Sequence, residues 1–305
     1  MANQKASIYS ALSANLLIAV TKFVAGYFSN SAAMISEGIH SLVDTVNQLL
    51  LLFGLKRSKK PADALRPFGY GKELYFYSFI VSILIFGLGG GISIYQGITH
   101  IIYPEPLGDP LWNYVVLVLS VIFEGTSLII AAKAFNKIRG HETWWNAIVK
   151  SKDPSSFLVL FEDGAAVLGL FTVMVCMYFS HKLNRPELDG LASLLVGLLL
   201  VGVSLILARE SRSLLLGEGI SAASREKIIH IIEQDNAVNK VLTVVSNYQS
   251  PEEVLLTLIV SFKEGLDTHE LNEAIDRIQA GIRKEFKLIR YIIIQPEDYT
   301  KQFKF

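Results

Sequence analysis

The chain has 305 residues, 51% of them hydrophobic and only 18% charged, with a positive mean hydropathy; this is too apolar for an ordinary soluble protein. Its 28 basic and 28 acidic residues cancel, so no global field draws it to nucleic acid or to an acidic partner. Cys176 is the single cysteine, which excludes an intrachain disulfide framework.

The N-terminus, MANQKASIYS, has neither the charged and cleavable regions of a secretory signal nor the arginine of a transit peptide, so the first apolar segment is expected to stay as a span. Six apolar segments lie at residues 8–28, 32–55, 75–99, 111–135, 156–180 and 188–208. Each is continuous and long enough to cross a core that needs about 20 helical residues, which favours helices over a barrel. Small residues in the first (Ala11, Ser13, Ala14) and a glycine cluster in the third (Gly87, Gly89, Gly90, Gly91) allow helices to approach closely. The cluster has no following Lys or Ser, so it reads as packing or a helix irregularity and not as a phosphate loop.

Basic residues set the orientation. Lys56, Arg57, Lys59, Lys60 and Arg66 follow the second segment; Lys137, Arg139, Lys150 and Lys152 follow the fourth; Arg209 and Arg212 follow the sixth. The opposite connections are poor in Lys and Arg, so six spans with both termini in the cytoplasm satisfy every loop, and the expected location is the cell's inner (plasma) membrane.

After Gly217 the pattern turns soluble. Residues 1–212 are therefore expected as a six-helix transmembrane domain and 213–305 as a cytoplasmic α+β domain. SAASREKIIHIIEQ predicts a helix with a serine start, Lys240 to Val245 and Val254 to Val260 an antiparallel strand pair joined by the turn-prone NYQSPEE, Thr268 to Phe286 an amphipathic helix, and Ile289 to Ile294 a final strand. That order fits a small ferredoxin-like sheet covered on one face.

Chemistry concentrates in the second and fifth spans. Glu37, His40, Asp44 and Asn47 or Gln48 recur at helical spacing and form one polar stripe, which must face protein or a water-filled cavity. A stripe that only glues the bundle is the competing reading, although a neutral amide would do that at lower desolvation cost than His plus Asp. Glu162 and Asp163 are adjacent, so they point about 100° apart and need not serve the same site. Imidazole nitrogen and carboxylate oxygen suit zinc and related divalent cations, which makes His40, Asp44, Glu162 and Asp163 the candidate metal set. Lys22 and Glu124, also inside spans, are poised to pair with carboxylates. His100, His141, His181, His230 and His269 stand at no ligand spacing to one another.

The segment SNSAAMISEGIHSLVD with His40 and Asp44, the stretch RPFGYGKE, and Asp163 together resemble the cation diffusion facilitator family over practically the whole chain. The resemblance implies a homodimeric, proton-coupled exporter of divalent cations, zinc foremost and manganese, iron or cobalt as alternatives, with the metal as cargo and no cofactor. It also implies a transport site made from an Asp or His four residues before an Asp in spans two and five. This chain departs at Val159, four before Asp163, leaving Glu162 or water to complete the shell; the Glu-Asp pair resembles the mitochondrial-type zinc exporters. At the family's loop metal site Asp63 stands with Arg66 and Tyr70, and at its tail zinc site stand Ile294 and Pro296. A membrane-embedded metal hydrolase is the rival class, but no HExxH or GxSxG motif appears.

Overall fold

The computed structural model describes residues 2–106, 108–140 and 142–298; His141 and the side chains of Ala11, Ser13, Ala14 and Lys150 lie outside the described residues. Two compact units emerge, one from residues 1–56 and 73–212, the other from 57–72 and 213–305.

The first unit is a helical bundle. Its helices are α1 (Ala2–Ser29), α2 (Ala32–Ser58), α3 (Glu73–Leu84) continuing through a π-helical segment (Ile85–Gly91) into α4 (Ile92–Ile102), α5 (Leu111–Arg139), a short α6 (Trp144–Lys150), α7 (Pro154–Leu183) and α8 (Glu187–Leu216). Five described helical stretches, of which α3 to α4 is one, are long and apolar enough to cross a membrane, and Asn15–Ser29 adds a shorter apolar stretch within α1. All six predicted segments thus fall on helices. The connection between the fourth and fifth, read from the sequence only as a basic loop, also holds α6. Thr143 caps it by accepting from the Asn146 backbone N–H, and the exposed Trp144 and Trp145 lie on it. Such rings favour a membrane–water interface.

Local chemistry ends two of the helices. Asn30 and Asn184 take positive φ of 50° and 52° immediately after α1 and α7, a cap conformation that asparagine tolerates. The glycine cluster forms the π-helical segment, and from there the chain packs on α8. A Cβ on Gly90 would stand 3.2 Å from the Gly197 carbonyl oxygen, and one on Gly97 would stand 2.8 Å from that of Gly190. Seven residues separate the glycines on both helices, so two backbone contacts recur at the same spacing.

The second unit contains α9 (Ala222–Glu233), β1 (Val238–Ser250), β2 (Glu253–Phe262), α10 (Thr268–Glu285) and β3 (Ile289–Pro296). Strand order is β1-β2-β3, with β1 antiparallel and β3 parallel to the central β2. Asp267 and Glu270 form a reciprocal capping box at the start of α10. Ala274, Ile278 and Ile282 on α10 and Ile228 and Ile232 on α9 are buried with the sheet's Val241, Leu256 and Leu258. The sequence had given NYQSPEE to a turn. Instead Asn247, Tyr248 and Ser250 pair with Leu255, Val254 and Glu253, so the turn shrinks to Pro251 and Glu252.

The segment 57–72 belongs to this second unit. Phe68 meets Tyr291 of β3 edge-on at 5.5 Å, and Gly71 leaves no room for a Cβ against the Gln249 backbone. Both oxygens of Asp63 are engaged: Oδ1 accepts from the backbone N–H groups of Leu65 and Arg66, and Oδ2 from the Tyr70 hydroxyl at 2.6 Å. That hydroxyl holds the Asp63 carboxyl below its usual range. The Arg66 guanidinium lies over the Tyr70 ring at 4.5 Å.

Candidate transport site

Helix α2 is turned inside out relative to a soluble helix. Its buried face carries Ser36, Glu37, His40, Ser41, Asp44 and Asn47, while Leu42, Val46, Leu49 and Phe53 are exposed. A bilayer accounts for this, because lipid tails solvate the leucines and the polar groups must find partners inside the bundle.

The stripe divides into two parts. At its N-terminal end Lys22 of α1, fully buried, donates to Glu37 at 3.0 Å and to the Ser41 hydroxyl at 2.8 Å. This answers which carboxylate Lys22 pairs with. Gly169 of α7 leaves space for that carboxylate, since a Cβ there would stand 3.0 Å from Glu37 Oε1. One turn further in, His40 Nδ1 lies 3.5 Å from Asp44 Oδ1. Neither ring nitrogen of His40, nor Asp44 Oδ1, has a hydrogen-bond partner among the described residues, although all are buried.

Opposite, the acidic pair of α7 diverges as its adjacency requires. Glu162 Oε1 accepts from the Asn47 amide of α2 at 2.7 Å, and Asp163 Oδ2 accepts from the Ser127 hydroxyl of α5 at 2.7 Å. Of the sequence alternatives Asn47 and Gln48, Asn47 is therefore the one joined to the acidic pair. His40, Asp44, Glu162 and Asp163 are exposed by 2%, 9%, 6% and 9%, so all four sequence candidates face the bundle interior.

These groups feel one another's charges: Asp44 interacts with Glu162 and Asp163, and His40 with Asp163 and with Glu124 of α5. They share one neighbourhood without converging on a point; among the described residues no three His, Cys, Asp or Glu side chains close tightly enough to enclose an ion unaided. Among the described residues five carboxylates (Glu37, Asp44, Glu124, Glu162, Asp163) lie here with one ammonium, that of Lys22. Surplus negative charge of that kind is costly at low dielectric unless cations, as protons or metal, balance it. Such a pocket can exchange one for the other.

Two features escaped the sequence reading. Ser127 is an ordinary serine in an apolar run, and only the packing of α5 on α7 shows it holding Asp163. Asp189, fully buried at the start of α8, accepts from Ser31 Oγ at 2.6 Å and from the Ala33 backbone at 3.1 Å, and lies 3.7 Å from His100 Nδ1. It caps α2 from another helix, a tertiary contact with no local signature. His100, which stands at no ligand spacing to another histidine in the sequence, is thus buried beside a carboxylate.

Residues 8–216 match the cation efflux transmembrane domain. The mitochondrial proton-coupled zinc antiporter SLC30A9 of Xenopus laevis is 34% identical over 79% of this chain and 44% of its own length. Metal tolerance protein C4 of Arabidopsis thaliana is 32% identical over 80% of this chain and 54% of its own length. The magnetosome protein MamM of Paramagnetospirillum magneticum is 23% identical over 94% of this chain and 86% of its own length. The match thus spans about half or less of the frog and plant proteins.

Proposed function

The chain belongs to the cation efflux family, which consists of transporters and not enzymes, and from that premise we propose that it exports a divalent cation, zinc foremost, in exchange for protons. It is a multi-pass membrane protein and the metal is its cargo, with no cofactor required. In this reading His40, Asp44 and Asp163 hold the cation, with Glu162 at the cytoplasmic edge of the pocket. The observation that carries the proposal is the buried, negatively unbalanced cluster in which His40 and Asp44 have unpartnered ligand atoms. Ligation needs neutral imidazole and ionised carboxylate, so an arriving metal releases the protons those atoms held. Coupling then needs no separate proton path.

The SLC30A9 relatives are zinc antiporters and mitochondrial by name. We place this chain in the cell's inner membrane with both termini cytoplasmic, on the strength of its basic loops; imaging of a tagged chain separates that location from a mitochondrial one. A second copy of the chain is the proposed partner. Val245, Thr257 and Ile293 stand in register across the three strands, and Val245 and Ile293 are about half exposed, so the sheet has an apolar surface for it. The carboxylate-rich pocket also admits manganese, iron or cobalt as cargo.

The test is metal-driven proton movement in proteoliposomes across a panel of these metals. Wild type is expected to move protons most strongly with zinc, and Asp44→Ala and Asp163→Ala to abolish the signal. Undiminished flux in either variant contradicts the site.

A further inference from the structure

Within α2 the chain shows how it builds half of a site: His40 and Asp44, one turn apart, on a single face. In α7 the matching position one turn before Asp163 is Val159, which offers no ligand atom. Glu162 is the neighbouring carboxylate, but its Oε1 is taken by Asn47, a turn to the cytoplasmic side of Asp44. The pocket is therefore short of one ligand group beside Asp163. Resting on the transport reading above, we propose that Glu124 of α5 supplies that group, completing the cation's protein ligands from a third helix.

The geometry begins from Ser127. Its bond to Asp163 fixes which face of α5 meets α7. Glu124 lies three residues earlier and so on that same face, displaced by about 4.5 Å along the helix. The transport reading runs α5 and α2 in the same direction through the bilayer. On α2, His40 precedes Asp44 by about 6 Å of helix, so Glu124 rises from the level of Asp163 toward that of His40. Its charge acts on His40, and those of Asp44 and Asp163 act on it. Much of α5 faces outward: Leu119, Ile122, Phe123, Ile129 and Ile130 are all exposed. A carboxylate kept in such a helix stands at high cost unless a cation answers it. The ammonium of Lys22 acts on Glu124 as well, but its hydrogen bonds go to Glu37 and Ser41.

The test is zinc affinity of the purified full-length protein by titration calorimetry, with thermal stability measured in parallel. Glu124→Gln is expected to weaken zinc binding by at least about tenfold, a loss of the size seen when a metal's protein shell is disturbed. Glu124→Asp should keep most of the affinity, and Glu162→Gln should change it far less. Adding Val159→His to Glu124→Gln should restore affinity, because that imidazole would stack beside Asp163 as His40 does beside Asp44; Val159→Asp serves if the histidine variant does not fold. Unchanged affinity in Glu124→Gln, or a loss that neither residue at 159 restores, overturns the assignment. Unchanged affinity in Asp163→Ala would instead overturn the transport site itself, so the two failures are distinct.

Discussion

In the tail the buried side chains are mostly aliphatic, with Ile228, Ile232, Val241, Leu256, Leu258, Ile278 and Ile282 forming one cluster; the membrane unit hides Lys22, Glu37, His40, Asp44, Glu162, Asp163 and Asp189. The solvent accounts for the contrast. In water, burying aliphatic surface drives folding. In lipid the outer face is already apolar, so helices are held by close backbone approach, as at Gly97 and Gly190, and by polar pairs. Buried polar groups in the membrane unit thus fall into two sets. Lys22 with Glu37 Oε2, and Asp189 with Ser31, are paired across helices and hold the bundle, although Glu37 Oε1 has no hydrogen-bond partner among the described residues. Among the described residues His40 has no hydrogen-bond partner on either ring nitrogen, which marks it and the adjacent Asp44 as the working part.

That division predicts opposite responses to substitution. The largest loss of stability is expected for Lys22→Ala, which leaves Glu37 as a buried, uncompensated charge at a cost of about 3–5 kcal/mol. The double variant Lys22→Met with Glu37→Met should regain most of it, as read by thermal denaturation in detergent. A double variant no better than the single would show that the pair is not what matters there. Next in size, Leu256→Ala should cost about 2–5 kcal/mol as a cavity in the tail core. Hydrogen exchange would register it in β1 and β2 and leave the membrane helices protected; loss of protection in α2 or α7 would contradict two separate cores.

The smallest effect is expected at the tail surface, where Arg277 donates twice to Asp235, at 2.9 and 3.1 Å. This hydrogen bonding holds the Asp235 carboxyl below its usual range. A depressed carboxylate stabilises the fold above the unfolded value of about 3.9 and loses that contribution as pH falls through the lower folded value. Arg277→Ala should therefore lower the tail's melting temperature at pH 7, and the gap from wild type should narrow toward pH 2. A gap independent of pH would assign the effect to lost packing instead.

What could be read from residues alone follows the range of the forces involved. Apolar runs, the serine start of α9 and the one-turn spacing of His40 and Asp44 are local patterns, and each appears where the sequence placed it. The missed features are tertiary. Asn247 and Ser250 are turn-prone by type, yet pairing with β2 keeps them extended, since strand preference depends on neighbours. Segment 57–72 carries no sign of its packing on the tail sheet, and Ser127 none of its bond to Asp163. The divergence of Glu162 and Asp163 was legible from helix geometry, whereas the groups awaiting them, Asn47 and Ser127, depended on how three helices meet.

The most direct measurement of the central claim, that one set of side chains holds either metal or protons, is calorimetric titration of the purified protein with zinc in buffers of different ionisation enthalpy. Wild type should release protons as zinc binds, and His40→Ala and Asp163→Ala should lose the zinc heat and the proton release together. Zinc binding with no protons released, or release that persists unchanged in both variants, would contradict it.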